Sequence, residues 1–465
     1  MQRITPLSYN DEAGQVFSYK GHLYRGIFTS YVPKIQGFIA SQLYEQLVSQ
    51  GLLVPHSIVL PTENLFGELQ EATQHQFALF LAPSYLPFIS YPSEWSFSML
   101  KKAALLTLEV QNLALSQGFV LKDAKADNVQ FNNLQPVFID ILSFEPYQEG
   151  TAWQAYRQYC QHFLTPLALM AYGTIEFHKI QQIYTDGIPL ELATKFLSWK
   201  TLFFGGIFQH LTLHSWLSKP STEKKIKKAP TTHKNFTIHF IQNLTNSLQS
   251  TIQGLRYQTQ TRWSSYYAQD VAGDYREAKQ KIVKQFLQMT SSQIIWDLGA
   301  NTGVFSGLAW DTGATVYAFD ADQDSIEQLF LGLQGKNIKG GVGVIDLNNP
   351  TPMRGFALQQ YRSWLDRCPK PDTILALALV HHLRMTYNIP LQQIAHFFAT
   401  YTNFLIIEFI PKNDEKVQLL LQNKIDVYHD YSLENFKKIF GAFFNVVEEV
   451  GMENNDRRIF LMKRL

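Results

Sequence analysis

The chain has 465 residues, 46% hydrophobic and 17% charged, which suggests about three domain-lengths at ~150 residues each and enough apolar material to exclude a disordered polymer. Forty basic residues against 39 acidic ones leave a formal charge of +1, so electrostatics gives no support for a nucleic-acid partner. Cys160 and Cys368 form neither a CxxC pair nor a Cys/His cluster, which argues against a thiolate metal site and a disulfide framework. The start, MQRITPLSYNDEAG, is polar and unlike a targeting peptide. The most apolar stretches, such as 163–175, fall short of the ~18 residues that span a bilayer. The expectation is a cytoplasmic protein with no membrane span and no metal.

In chain order, QVFSYKGHLYRGIF alternates around Gly21 like a β-hairpin. FIASQLYEQLVSQGLL has helical spacing and stops at Gly51, a plausible C′ glycine. FSMLKKAALLTLEVQNLALSQG predicts a long amphipathic helix ended by Gly118. GFVLKDAKADNVQF and PVFIDILSF then place Asp123, Lys125, Asn128 and Asp140 among short strands. Helical stretches follow from Trp153 to about Trp216. Near KPSTEKKIKKAPTTHK, five lysines between Lys219 and Lys228 are bounded by Pro220 and Pro230. Such a like-charged run cannot bury a face and reads as a linker. Residues 236–290 read as helices that lead into the next domain.

Beyond them, apolar strands alternate with helices: IIWDLG, a helix from Val304 to Trp310, TVYAFDAD, a helix from Asp324 to Leu333, GVGVID, TILALALV, a helix from Leu391 to Thr402, and FLIIEF. That alternation implies βαβ units and a mostly parallel sheet. The tail, NVVEEVGM and RRIFLMKRL around Asn454–Asn455, reads as an antiparallel hairpin on the sheet edge.

The strand–turn–helix IIWDLGANTG carries the strongest chemical signal. Gly299 and Gly303 allow a tight turn and close backbone approach to a ligand. Asp297 lies at the strand's carboxyl end, where open α/β sheets bind ligands. Twenty-three residues further on, Asp320 ends the next strand, suited to accepting both hydroxyls of a ribose. The G-x-N-x-G spacing departs from the G-x-G-x-x-G of dinucleotide enzymes. His381 and His382 follow TILALALV, where an imidazole could take a proton, orient an acceptor or bond to backbone. Glu408 ends FLIIEF, either as an acceptor contact or as a strand-end cap. Asn349–Pro350 superficially resembles an N-P-P-Y loop, but it does not follow the fourth strand, which argues against a nucleic-acid amino-methyltransferase.

D-x-G-x-N-x-G resembles the first motif of class I S-adenosylmethionine-dependent methyltransferases. The resemblance implies a Rossmann-like α/β sheet with one reversed strand in its carboxyl-terminal hairpin. It further implies cofactor contacts from Asp297, Gly299, Asn301 and Gly303, with the ribose on Asp320. Asp346 would lie at the adenine edge, unless it merely caps its loop, and Leu347 could pack on the ring. A tyrosine of TRWSSYYAQDVAGDY, Tyr267 foremost, could bond the methionine carboxylate, or the segment could be ordinary helix packing.

Asp123, Lys125, Asn128 and Asp140 resemble the catalytic and metal loops of the protein-kinase-like fold. Leu121–Lys122 and Asp140-Ile141-Leu142 depart from that pattern, and no phosphate-covering glycine loop or V-A-I-K lysine precedes them. Arg25 and Glu45 are offered as a substitute ion pair. Over its whole length the chain resembles a bacterial family of class I methyltransferases with a kinase-like α+β front half, and its last part is similar to the NoeA group of nodulation proteins. The expected division is therefore a kinase-like, non-phosphorylating domain over 1–218, a Lys-rich linker over 219–235 and a methyltransferase domain over 236–465, acting on an unidentified small-molecule or protein acceptor.

Overall fold

The computed structural model describes residues 5–7, 11–173, 175–199, 201–203, 205–217, 236–258, 273–452 and 456–465. The Lys-rich run and Trp263, Tyr266 and Tyr267 lie outside the described residues. The chain divides into two compact units, Met1–Gln258 with Pro352–Ser363, and Thr259–Thr351 with Trp364–Leu465. No helix among the described residues is long and apolar enough to cross a membrane.

The first unit carries an antiparallel sheet of β1 (Thr5–Pro6), β2 (Gly14–Tyr19), β3 (His22–Ile27), β4 (His56–Val59) and β5 (Leu79–Pro83), in the order β1-β2-β3-β5-β4. The expected hairpin at Gly21 is β2–β3. Lys20 and Gly21 have φ of 49° and 81°, the two left-handed residues that a type I′ turn requires. Phe17, Phe77 and Phe80 pack into the apolar face of the sheet. The helix expected from Phe38 to its stop at Gly51 is instead two, Val32–Ile39 and Gln42–Ser49. The break falls where Ser41 turns extended and accepts the Tyr44 amide, capping the second helix.

The predicted long helix is Phe97–Ser116. It is followed by two small sheets, β6 (Phe119–Leu121) with β9 (Phe144–Pro146) and β7 (Val129–Asn132) with β8 (Gln135–Phe138). The span read as one helical lead-in, 236–290, is divided. Helix Ile238–Gly254 belongs to the first unit, where Ile241, Leu248 and Ile252 are buried. Lys101 donates to the Gln253 and Leu255 carbonyls, and Thr245 bonds Asn112, fixing it along Phe97–Ser116. Among the described residues of that span, Gly273–Thr290 leads into the second unit.

The second unit is built on β10 (Ile294–Leu298), β11 (Thr315–Asp320), β12 (Gly340–Val344), β13 (Thr373–Ala376), β14 (Phe404–Phe409), β15 (Phe444–Gly451) and β16 (Arg458–Arg464). Their order is β12-β11-β10-β13-β14-β16-β15. β16 runs antiparallel to both neighbours and the remaining pairs are parallel, as the apolar runs and the tail hairpin predicted. Helices cover the sheet, so its central strands are apolar along most of their length, with acids only near their carboxyl ends; Ile295, Val316, Leu375 and Ile406 are buried in one core.

Candidate functional site

At the carboxyl end of β10 the chain turns through Gly299, Asn301 and Gly303, with φ of 78°, 49° and 82°. Three left-handed residues in five explain the spacing: glycine and asparagine adopt this region most readily. The Gly299 and Ala300 amides donate to the Phe319 carbonyl at 2.9 and 3.0 Å, locking the turn onto β11. A Cβ at Gly303 would lie 2.2 Å from the end of the Leu329 side chain, so a larger residue would have to displace Leu329 and adopt a left-handed backbone. Gly303 then begins helix Val304–Trp310.

Asp297 is buried and accepts the Ser306 hydroxyl at 2.6 Å. Burial pushes its carboxyl up to about 7, against the Ser306 bond and aided by the nearby Asp320 charge. Asp320 ends β11, and each of its oxygens accepts one amide at 2.8 Å, Asn301 on one and Asp322 on the other. Burial raises it to about 6, with those amides partly offsetting the rise. The Ala321 amide adds a third bond to the same carboxylate, which the Asn301 amide ties to the glycine turn.

Asp346 lies two residues beyond β12 and accepts the Asn348 amide at 2.9 Å, which is the loop-capping arrangement. Leu347 is half-buried beside it. The sequence reading missed Tyr387, whose hydroxyl is raised by burial and by the charges of Asp346 and Asp320. An aromatic in an apparently featureless loop gave no signal of that proximity.

His381 and His382 do not stand at the strand end. β13 stops at Ala376, Ala378 turns left-handed with φ of 51°, and both histidines ride on helix Val380–Met385. Their rings are 4.2 Å apart. His381 is buried with Nδ1 unpartnered. Burial, the neighbouring His382 and the cations Arg457, Lys279 and Lys416 hold it well below the usual imidazole range. Burial lowers His382 to about 4. Both rings are therefore neutral at pH 7 and weakly basic.

Glu408 is fully buried and spoken for. It receives Lys279 at 2.6 Å, Tyr275 at 2.7 Å and the Ala378 amide at 2.9 Å. Burial alone would raise its carboxyl, but the charges of Lys279 and Arg457 and its hydrogen bonds hold it below the usual range. Arg457 in turn pairs with Asp414 at 2.7 Å. The strand-end cap is the arrangement observed, and it ties helix Gly273–Thr290 and the last hairpin to the sheet.

In the first unit, Asp140 Oδ1 meets Arg25 of β3 at 2.6 Å, and Oδ2 accepts the Ser143 hydroxyl at 2.5 Å. Burial would raise this carboxyl, but Arg25 and Ser143 hold it below its usual range. Arg25 takes Asp140, not Glu45, which is exposed on its helix. Asn128 donates to Ser143 at 3.3 Å, joining the same group. Asp123 accepts the Lys125 amide at 3.1 Å and lies 3.6 Å from the Lys125 ammonium; burial raises its carboxyl. Among the described residues no cluster of three or more His, Cys, Asp or Glu could hold a metal ion.

No protein-family model matches the chain. Nodulation protein NoeA of Rhizobium meliloti (strain 1021) is 31% identical over 466 residues, covering 98% of this chain and 95% of that protein. Among solved structures, magnesium protoporphyrin IX methyltransferase ChlM from Synechocystis PCC 6803, with bound SAH, is 18% identical. It covers 44% of this chain and 93% of its own, with a TM-score of 0.32. The N-methyltransferase NodS from Bradyrhizobium japonicum WM9 is 10% identical over 41% of this chain and 97% of its own, with a TM-score of 0.31. The bifunctional kinase-methyltransferase WbdD is 16% identical over 43% of this chain and 42% of its own, also with a TM-score of 0.31. The similarity to NoeA is not confined to the last part of the sequence: it runs through both units. The chain belongs to the NoeA family.

Proposed function

We propose that this chain is an S-adenosylmethionine-dependent methyltransferase whose second unit holds the cofactor at the carboxyl ends of β10 and β11. The observation that carries the reading is the Asp320 carboxylate bonded to the Asn301 amide of the left-handed turn; in this reading it receives the ribose hydroxyls. The residues present fit that group. The turn offers backbone without side-chain bulk at Gly299 and Gly303, and Asp320 offers paired acceptors. Leu347 and Tyr387 offer apolar and aromatic surface near Asp346 and Asp320. The single reversed strand in the carboxyl-terminal hairpin of the sheet supports the class I resemblance.

The bound cofactor would supply an electrophilic methyl group to an acceptor heteroatom. The chain's own residues would do the positioning, which dominates such a transfer. Asp297 would stiffen the turn through Ser306. Asp346 would order the loop after β12. His381 and His382, neutral and weakly basic, suit orienting an acceptor better than removing its proton near pH 7. Tyr267 remains a proposed contact for the methionine carboxylate.

The first unit we read as kinase-like and no longer phosphorylating. Arg25 occupies the Asp140 carboxylate that a metal would need, and no glycine-rich phosphate loop precedes it. Its proposed role is to shape or gate the acceptor site; the match to NoeA across both units supports a joint function.

Isothermal calorimetry of the full chain with S-adenosylmethionine, S-adenosylhomocysteine, NAD and ATP tests the assignment. Tight binding of the first two, largely lost in Asp320→Ala, is expected. Tight NAD binding, or an unaffected variant, overturns it. Magnesium-dependent stabilisation by ATP that disappears in Asp140→Ala would instead favour a phosphotransferase with a regulatory second unit.

A further inference from the structure

In the first unit, helix Val32–Ile39, the two-stranded sheet β6–β9 and residues 148–154 together wall an open cleft. Its volume is about 670 Å³, inside the range of about 300–1,000 Å³ in which proteins hold small molecules. The chemistry described above does not use it: Arg25, Asp123, Asn128, Asp140 and Ser143 are not among the residues that line it.

The open parts of its lining are largely apolar. Phe119 of β6 is half-buried, its ring edge-on to the buried Phe38 at 5.8 Å. Pro33, Pro146 and Ala152 line the cleft and are exposed. Gly37 leaves the helical wall low, since a Cβ there would meet nothing within 4 Å. Glycine weakens a helix relative to alanine, and here the space for a side chain is left to the cleft. A ligand body that covers these groups removes apolar surface from water.

Charge selects the other end of the ligand. Lys34, Lys122 and Glu145 are the ionisable residues of the lining, two cations against one acid. Lys34 is committed to Glu145 at 3.2 Å. Lys122 is held differently. Its backbone amide donates to the Ser143 carbonyl at 2.8 Å, fixing the residue beside β9. Its ammonium lies 3.7 Å from Glu12, a side chain 72% exposed, while its own side chain is 20% exposed. A pair so open to solvent contributes little, and an anion that brings its own apolar body displaces Glu12. A cation would meet two lysines, and a neutral apolar molecule would leave Lys122 unused.

We propose that this cleft binds a small amphipathic anion, a carboxylate or phosphate ester carried on a ring or hydrocarbon body. The anionic head takes the Lys122 ammonium in place of Glu12, and the body lies against Phe119, Pro146 and Ala152. The site is independent of the methyl-transfer reading, since every residue that lines it belongs to the first unit.

Isothermal calorimetry of the full chain with octanoate and phenyl phosphate, set against octanol, phenol and inorganic phosphate, tests this. At least one of the two amphipathic anions should bind, tenfold or more tightly than its neutral counterpart, and phenyl phosphate more tightly than inorganic phosphate if it is the one. Which of them binds distinguishes a carboxylate from a phosphate ester. Lys122→Met removes a charge-assisted bond and should weaken that binding about tenfold or more. Ala152→Trp, at an exposed position, places a ring in the cleft and should abolish it. Failure of both anions to bind overturns the proposal, as does equal binding of the neutral counterpart or affinity unchanged in Lys122→Met. If Lys122→Met does not fold, Ala152→Trp decides: binding that survives it lies elsewhere, and the proposal falls.

Discussion

Tyr361 donates its hydroxyl to Asp127 Oδ2 at 3.0 Å, a bond between residues 234 positions apart in sequence. Burial pushes the Asp127 carboxyl up to about 6 in spite of that bond and of Lys125 and Arg354. Tyr361 belongs to Pro352–Ser363, the segment that leaves the second unit's stretch of sequence to join the first. Arg354 anchors the same segment on the Gln182 carbonyl, and the Arg362 amide donates to Tyr91.

Tyr361→Phe should therefore raise the Asp127 pKa further and destabilise the first unit in a pH-dependent way. At pH 8 the wild-type carboxylate is ionised, and losing a bond to it should cost about 1.5–3 kcal/mol. At pH 5 both proteins carry it protonated, and the loss should shrink to about 1 kcal/mol. Chemical denaturation at the two pH values measures the difference; equal losses would mean that Asp127 does not titrate between them.

A buried acid near 7 makes a second prediction. Asp297 has its folded pKa raised far above 3.8 by burial. Its proton stabilises the fold fully below the unfolded value, and that stabilisation is lost as pH rises through about 7. Asp297→Asn keeps an acceptor for Ser306 without the charge. Between pH 5 and pH 8.5, its stability relative to wild type should improve by about 3 kcal/mol, at ~1.4 kcal/mol per pKa unit. Urea melts at both ends of that range would show it, and a constant difference would refute the burial of an ionisable group there.

Much of the second unit could be read before any coordinates, because its devices are local. The G-x-N-x-G spacing requires left-handed backbone, and Gly299, Asn301 and Gly303 have it. Strand apolarity reported two-sided burial, and the tail's alternation reported the β15–β16 hairpin. What stayed hidden depends on partners far along the chain. The amphipathic pattern of Ile238–Gly254 shows that one face is buried, but not that Phe97–Ser116 covers it. Nothing in 352–363 announces Asp127 as its destination. Glu408 looked available because Lys279 and Arg457 lie 129 and 49 positions away in sequence. A carboxylate ending so apolar a strand needs cations nearby, and that was the signal to follow.

The Glu408 group yields the third prediction. Lys279 is 5% exposed at its side chain and Glu408 is fully buried, with nitrogen and oxygen 2.6 Å apart. Lys279→Met would leave the carboxylate with Tyr275, the Ala378 amide and the more distant Arg457 at 4.0 Å. Removing one partner of a buried pair typically costs about 3–5 kcal/mol, while replacing both by apolar groups is often near neutral. The double variant Lys279→Met/Glu408→Leu should accordingly be more stable than Lys279→Met alone. Additive losses in a denaturation cycle would show that the pair is not coupled.

Arg25 and Asp140 permit a sharper test, because pH can switch one partner off. Asp140 is held below 3.8 by Arg25 and Ser143 against the upward push of burial. A depressed folded pKa contributes stability above the unfolded value, and that contribution disappears as pH falls through the folded one. Arg25→Met should thus destabilise the first unit by about 3 kcal/mol or more at pH 7, the charge on Asp140 being left buried without its cation. The Asp140 pKa should rise in the variant, so lowering the pH to 5 should recover part of the loss by protonating it. Arg25→Met/Asp140→Asn should recover a similar share at pH 7 without any change of pH. Heat denaturation of the three variants and wild type at pH 7 and pH 5 resolves these outcomes. A loss in Arg25→Met that neither acid nor Asp140→Asn relieves would show that the guanidinium acts through packing and not through the carboxylate it meets at 2.6 Å.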